Sequence, residues 1–181
     1  APLASFAMFH MVTVFPLSWV FLFTNEGPAR FLVIEAIGAM FGALAIVASG
    51  ILSDRIGRRR MLAGFAVVIA VFSGFAPQLL DAGFWGELAY MIVGFVLLGF
   101  VFGQSSGAFA FRFGRVYRYT ASAITSDFAW LFGAGFAPLV ALGLSSQFGI
   151  ASSGAYLLSG AAVTLVAIYA TGLPGPRQQR D

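Results

Sequence analysis

Six long apolar stretches, each closed by a short polar break, most constrain what this chain can fold into. They cover residues 1–23, 31–52, 61–80, 88–111, 119–144 and 151–173, and a helix needs roughly 20 consecutive apolar residues to cross a bilayer. Hydrophobic residues make up 60% of the chain and charged residues 9%, against about 25% charged in soluble domains. A water-soluble globule of this composition would carry more apolar surface than its interior can hide. The chain therefore reads as an all-α membrane protein of six transmembrane helices set in a lipid bilayer, residues 1–173, with a polar cytoplasmic tail, 174–181. It opens at Ala1 and runs directly into an apolar stretch. That start predicts a segment of a longer chain rather than the polar mature terminus left by a signal peptide.

All ten basic residues are arginine, and the formal charge is +3. Such a balance suits nucleic acid in a soluble protein, but here the arginines fall in the breaks between apolar stretches, so no nucleic-acid partner is expected. Arg55, Arg58, Arg59 and Arg60 lie between the second and third stretches, Arg112, Arg115 and Arg118 between the fourth and fifth, and Arg177 and Arg180 after the sixth. The opposite breaks hold only Arg30, beside Glu26, Asp81 and Glu87. Basic residues stay on the cytoplasmic side, which predicts cytoplasmic termini and a plasma membrane location, the inner membrane in a bacterium. The absence of cysteine removes disulfides, thiolate metal sites and thiol nucleophiles. A single histidine, His10, removes clustered imidazole sites, so neither metal nor cofactor is expected.

One break has more structure than an arginine-rich turn requires: Gly50-Ile51-Leu52-Ser53-Asp54-Arg55-Ile56-Gly57-Arg58-Arg59-Arg60. Gly50 predicts close approach of a neighbouring helix. Asp54 is placed to accept hydrogen bonds at an incoming helix N-terminus or to pair with an arginine. Gly57 permits a tight reversal. The segment resembles the G-x-L-x-D-R-x-G-R-R loop of the major facilitator superfamily, found between the second and third helices of each half. The resemblance implies a cytoplasmic latch built on Gly50, Asp54, Arg55, Gly57, Arg58 and Arg59. It also implies one six-helix half of a transporter, with the three-plus-three inverted repeat of such halves.

A second stretch, Phe113-Gly114-Arg115-Val116-Tyr117-Arg118-Tyr119-Thr120-Ala121-Ser122-Ala123, is similar to the F-P-x-x-V-R-Y-T-G-A-S segment of metabolite:proton symporters, with Gly114 at the proline and Ala121 at the glycine. Gly133-Ala134-Gly135-Phe136-Ala137-Pro138 resembles the same group's glycine-rich helix ending in proline. This likeness implies the C-terminal half of a proton-coupled symporter working by alternating access. Its solute would be a small organic metabolite, such as the dicarboxylates, shikimate or betaines of that group. The expected partners are that solute, protons, and either the N-terminal six-helix half or a second copy of this chain.

Ionisable groups within hydrocarbon are costly and become functional candidates. Asp127 lies eight residues into the fifth stretch, roughly 12 Å deep, beyond easy reach of headgroups for a short side chain. Glu35 is four residues into the second stretch, roughly 6 Å from its outer end. Gln104, with Ser105 and Ser106, lies on the fourth stretch at a depth like that of Asp127, and His10 falls in the cytoplasmic half of the first. Asp127, Gln104, His10 and Glu35 are thus the candidates for substrate or proton coupling, Asp127 foremost, with Gln104 expected to hydrogen-bond the ligand. The third and sixth stretches have few polar residues in their middles, Ser73, Ser159 and Thr164, as the peripheral helices of such a half would.

An enzyme reading rests on Gly103-Gln104-Ser105-Ser106-Gly107, a match to G-x-S-x-G on the fourth of six spans, as in six-helix intramembrane serine proteases. Such a serine needs a histidine base on the sixth span, and none follows His10. The strand-turn-helix context of a nucleophile elbow is missing as well. No catalytic residue is expected, and the chain reads as a transporter component rather than an enzyme.

Overall fold

The computed structural model of this chain describes residues 3–24, 27–105, 117–131 and 135–171. Every element among them is helical: α1 (Leu3–Thr13), α2 (Phe15–Phe23), α3 (Pro28–Ile56), α4 (Arg58–Leu80), α5 (Gly83–Ser105), α6 (Arg118–Trp130), α7 (Ala137–Phe148) and α8 (Ala151–Thr171). In hydrocarbon no water satisfies backbone N–H and C=O groups, so apolar stretches close their hydrogen bonds internally as helices.

α1 and α2 are one span with a joint. Bonds from Val14 N to the His10 carbonyl and from Ser18 N to the Val14 carbonyl run across it, at 3.1 Å each. Pro16 has no N–H to give and its ring crowds the preceding turn. Beside this joint the buried Tyr90 hydroxyl of α5 donates to the Met11 carbonyl.

Among the described residues, five helices are long and apolar enough to cross a membrane: Ser5–Phe23 through the joint, Pro28–Ile56, Arg58–Leu80, Gly83–Gln104 and Ala151–Ala170. The remaining span of the expected six falls on the fifth stretch, of which residues 132–134 lie outside the described residues. The described parts of that stretch include α6 and the 12-residue α7. Pro138 lies in the first turn of α7, where its fixed φ and missing N–H suit a helix start and not an interior.

The break between the second and third spans is shorter than the sequence suggests. Asp54 and Arg55 belong to the last turn of α3, and Arg58, Arg59 and Arg60 to the first turn of α4. Gly57 alone joins them, with φ +85° and ψ +138°, a conformation that L side chains with a Cβ adopt at a cost.

α3 and α5 pack most extensively, followed by α4 against α8 and α4 against α5. α1 packs on α8 and α5, and α7 lies against α8. At the α3–α5 crossing, a Cβ on Gly99 would overlap the Gly42 carbonyl and stand 2.8 Å from the Ala45 Cβ. Small residues let backbones approach this closely in lipid, where van der Waals contact rather than a hydrophobic drive holds helices together. The core runs through Met8, Val12, Ile34, Ile69, Phe72 and Met91.

Candidate functional site

Three helix ends meet at the predicted cytoplasmic side. Ser49 of α3 is fully buried and donates to the Ile46 carbonyl at 2.7 Å. Gln104 of α5, also buried, donates from Nε2 to Ser49 Oγ at 3.2 Å. Its Oε1 accepts from Arg58 Nε at 3.0 Å. Packing here is close enough that a Cβ on Gly103 would overlap Ser49 Oγ. Protein groups thus engage the Gln104 amide at both ends, and the residue expected to bond a ligand is instead joined to an arginine of the latch.

Of the other latch residues, Asp54, Arg55 and Arg59 are exposed, as is the neighbouring Arg60, and Asp54 has no ion pair or hydrogen bond among the described residues. A Cβ on Gly50 would meet nothing within 4 Å, so the close neighbour expected there is not supplied by this chain.

Deeper in the membrane, α1, α5 and α6 share an aromatic cluster. The Trp130 ring lies 4.7 Å from Phe6 and 5.4 Å from Phe9, and 6.0 Å from the His10 imidazole. Phe102 of α5 closes the group, 6.1 Å from Phe9. His10 is half-buried, and its Nδ1 has no hydrogen-bond partner among the described residues. Phe9 and Phe102 also line an apolar cavity of about 200 Å³, floored by Gly42, Ala43, Leu98 and Gly99 where α3 crosses α5. Asp127 lies one helical turn before Trp130, a spacing that sets both on one face of α6, and it is exposed.

The four candidates are therefore not gathered in one place. His10 borders the aromatic cluster, Asp127 shares a face of α6 with Trp130 by spacing, and Gln104 belongs to the latch network. Glu35 is half-buried on α3, with Oε2 buried and unpartnered among the described residues. The Ser106 position, Arg112, Arg115, the 113–116 part of the symporter-like segment and the 132–134 part of the glycine-rich helix lie outside the described residues, as do the side chains of Ser105 and Arg118.

At the outer end Glu87, expected in a loop, is buried in α5, with its Oε2 3.8 Å from Arg30 Nη2. The Arg30 guanidinium also stands 5.0 Å from the Phe84 ring centre. Sequence reading missed Trp130 and Ser49. The aromatic spacing Phe6–Phe9 on α1 was the one signal that could have located the cluster.

Comparison with known proteins agrees with a membrane transporter. The inner membrane metabolite transport protein YhjE of Escherichia coli is 29% identical over 181 residues, 93% of this chain and 40% of the relative. Two proteins of Haemophilus influenzae that carry the provisional name metabolite transport protein are 31% and 28% identical, over 78% and 75% of this chain and 32% and 31% of their own lengths. The chain thus spans about a third to two fifths of the curated relatives it matches. Neither a protein-family model nor a solved structure matches it.

Proposed function

We propose that this chain, similar over most of its length to proteins named metabolite transport proteins, belongs to the major facilitator superfamily and forms one six-helix half of a secondary active transporter. In this reading α1 with α2 is the first span, and α6 with α7 the fifth. The observation that carries the three-plus-three arrangement is the pattern of helix pairing. Exchanging the two triplets of spans turns the α3–α5 pairing into that of α6 and α7 with α1, and α4–α5 into α8–α1. It maps α4–α8 and α1–α5 onto themselves. Each of these pairings among the described residues thus has its counterpart, as in an inverted repeat.

The solute path runs between this half and a second one, which is either the N-terminal half of the same polypeptide or another copy. Asp127, nine residues into α6, sits about 13 Å from its cytoplasmic end. A carboxylate at that depth is costly against hydrocarbon, which supports an α6 face turned to the second half or to a wet cavity between them. The exposed Asp54, Arg55 and Arg59, and the open surface at Gly50, are then free to meet the second half as a latch when the cytoplasmic side closes. Both termini are cytoplasmic. The transport is proton-coupled symport of a small organic metabolite by alternating access, with Asp127 carrying the proton or orienting the solute.

Two measurements test this. The mass of the polypeptide carrying this sequence in its native membrane separates the arrangements: near twice 19.1 kDa for two joined halves, near 19.1 kDa for paired copies. In proteoliposomes supplied with a panel of small organic metabolites, an imposed proton gradient is expected to drive uptake of at least one. Asp127→Asn should abolish that uptake, and unchanged gradient-driven uptake would remove Asp127 from the mechanism.

A further inference from the structure

The first span lacks part of its own hydrogen-bond ladder. α1 gives way to α2 at Val14 (φ −105°, ψ −46°). On either side of the gap, the His10 and Val14 carbonyls accept from the N–H groups four residues on. The carbonyls of Met11, Val12 and Thr13 do not, and for Val12 the reason is covalent, since its donor would be Pro16. Val14 is the tenth of the 19 residues Ser5–Phe23. The gap therefore lies at mid-span, where lipid offers a freed carbonyl no donor.

One of the three freed carbonyls is met by another helix. Tyr90 of α5 is buried, and its hydroxyl donates to the carbonyl of Met11, itself buried. The Tyr90 ring is held separately from that bond, 5.7 Å from the Phe72 ring of α4. One turn further along α5, Gly94 lies so near α1 that a Cβ there would stand 3.0 Å from Val12 Cγ2. The hydroxyl thus reaches the joint from a packed base. The two parts of the span also have different neighbours: α1 packs chiefly on α8 and α5, α2 on α3 and α7. Sharp helix kinks arise at proline and where a side chain enters the ladder, and this joint has both. α1 carries Phe6, Phe9 and His10, whose rings lie against Trp130, so the angle at the joint sets that cluster relative to the outer part of the span.

We propose that Tyr90 is a positioning residue for the first span: its hydroxyl stands in for a backbone donor lost at the joint and holds α1 and α2 at one angle. A hydroxyl fixed on α5 can do this because a carbonyl freed from its own ladder keeps both lone pairs for an outside donor. The role is coupled to Pro16, which prevents the backbone from closing the gap itself. It is independent of whether, and what, the protein transports.

The test is double electron–electron resonance on the full polypeptide in nanodiscs, in a cysteine-free background. Nitroxides at Leu22→Cys and Trp85→Cys, both exposed positions, measure the end of α2 against the start of α5. Leu22 lies about 12 Å along the helix from Val14, so a change of about 20° at the joint carries it about 4 Å. Tyr90→Phe keeps the ring and removes the donor, and should shift or broaden that distance by about 3–5 Å. Pro16→Ala returns an N–H to the Val12 carbonyl. In that background Tyr90→Phe should have no more than about half its effect, the non-additivity expected of two groups acting on one joint. A second pair, Leu32→Cys with Trp85→Cys, spans the α3–α5 packing and should not change in any variant. An unaltered Leu22–Trp85 distance in Tyr90→Phe would overturn the assignment. So would an equal effect with and without Pro16, or a matching change in the Leu32–Trp85 pair, since each would place the role of Tyr90 in general packing and not at the joint.

Discussion

Substituting Gly99 by alanine tests the packing on which both the cavity and the latch network depend. The added Cβ would stand 2.8 Å from the Ala45 Cβ and 3.2 Å from the Ile46 nitrogen, and would overlap the Gly42 carbonyl. Carbon atoms rest at about 3.5–4.0 Å, so α3 and α5 must move apart by roughly 0.7 Å or more. The obstructing atoms are backbone and a methyl group, which have no rotamer to yield. A gap of 0.5–1 Å forfeits about a quarter to a half of each contact's attraction, and overpacking of this kind costs about 1–3 kcal/mol. Alanine returns up to about 1 kcal/mol through its helix propensity. Because the obstacles are backbone, the upper end of that cost, about 2–3 kcal/mol, applies, and the expected net loss is about 1–2 kcal/mol, a factor of roughly 5–30 in the folded-to-unfolded ratio. The assay is a titration of the purified protein with sodium dodecyl sulfate in mixed micelles, followed by near-ultraviolet circular dichroism. Gly74→Ala on α4, where a Cβ would meet nothing within 4 Å, is the matched control and should hold or gain stability. A Gly99→Ala midpoint at or above that of the unsubstituted protein would refute the argument, as would an equal fall in Gly74→Ala.

Three further outcomes follow from the same geometry. Gln104→Leu leaves the Arg58 Nε donor without its acceptor in a part-buried site and should lower stability by about 1.5–3 kcal/mol in the same titration. Gln104→Glu keeps the acceptor and should fall less. Gly57→Ala forces a Cβ onto a backbone at φ +85° and should cost about 1–2 kcal/mol; an unchanged midpoint would mean that the α3–α4 joint relaxes freely. The chain has no cysteine, so single cysteines report sidedness cleanly. Arg59→Cys should react with an impermeant maleimide only in inside-out vesicles, and Asp81→Cys only in right-side-out ones. The opposite pattern would invert the proposed topology.

Hydropathy alone was enough to predict five of the spans, because residence in lipid selects long apolar runs with internally bonded backbones, and that requirement is local. Helix ends shifted by a few residues: α3 runs from Pro28 to Ile56, beyond the expected 31–52, because polar end residues such as Asp54 and Arg55 continue a helix that apolarity no longer marks. Pro138 stands in the first turn of α7, a position whose meaning is written in the chain.

Which way a polar side chain points was not legible. Gln104 reads as a cavity residue by depth, yet its partners are Ser49 and Arg58, 55 and 46 positions away. They meet only because glycines let α3 and α5 close on each other. The joining of Phe6, Phe9, Phe102 and Trp130 into one cluster likewise depends on contacts between helices, here α1 with α5 and α6. Amino-acid types determined the solvent this protein lives in and the stretches that become helices. The crossing of those helices decided which residues share a site, since facing depends on contacts between segments far apart in the chain.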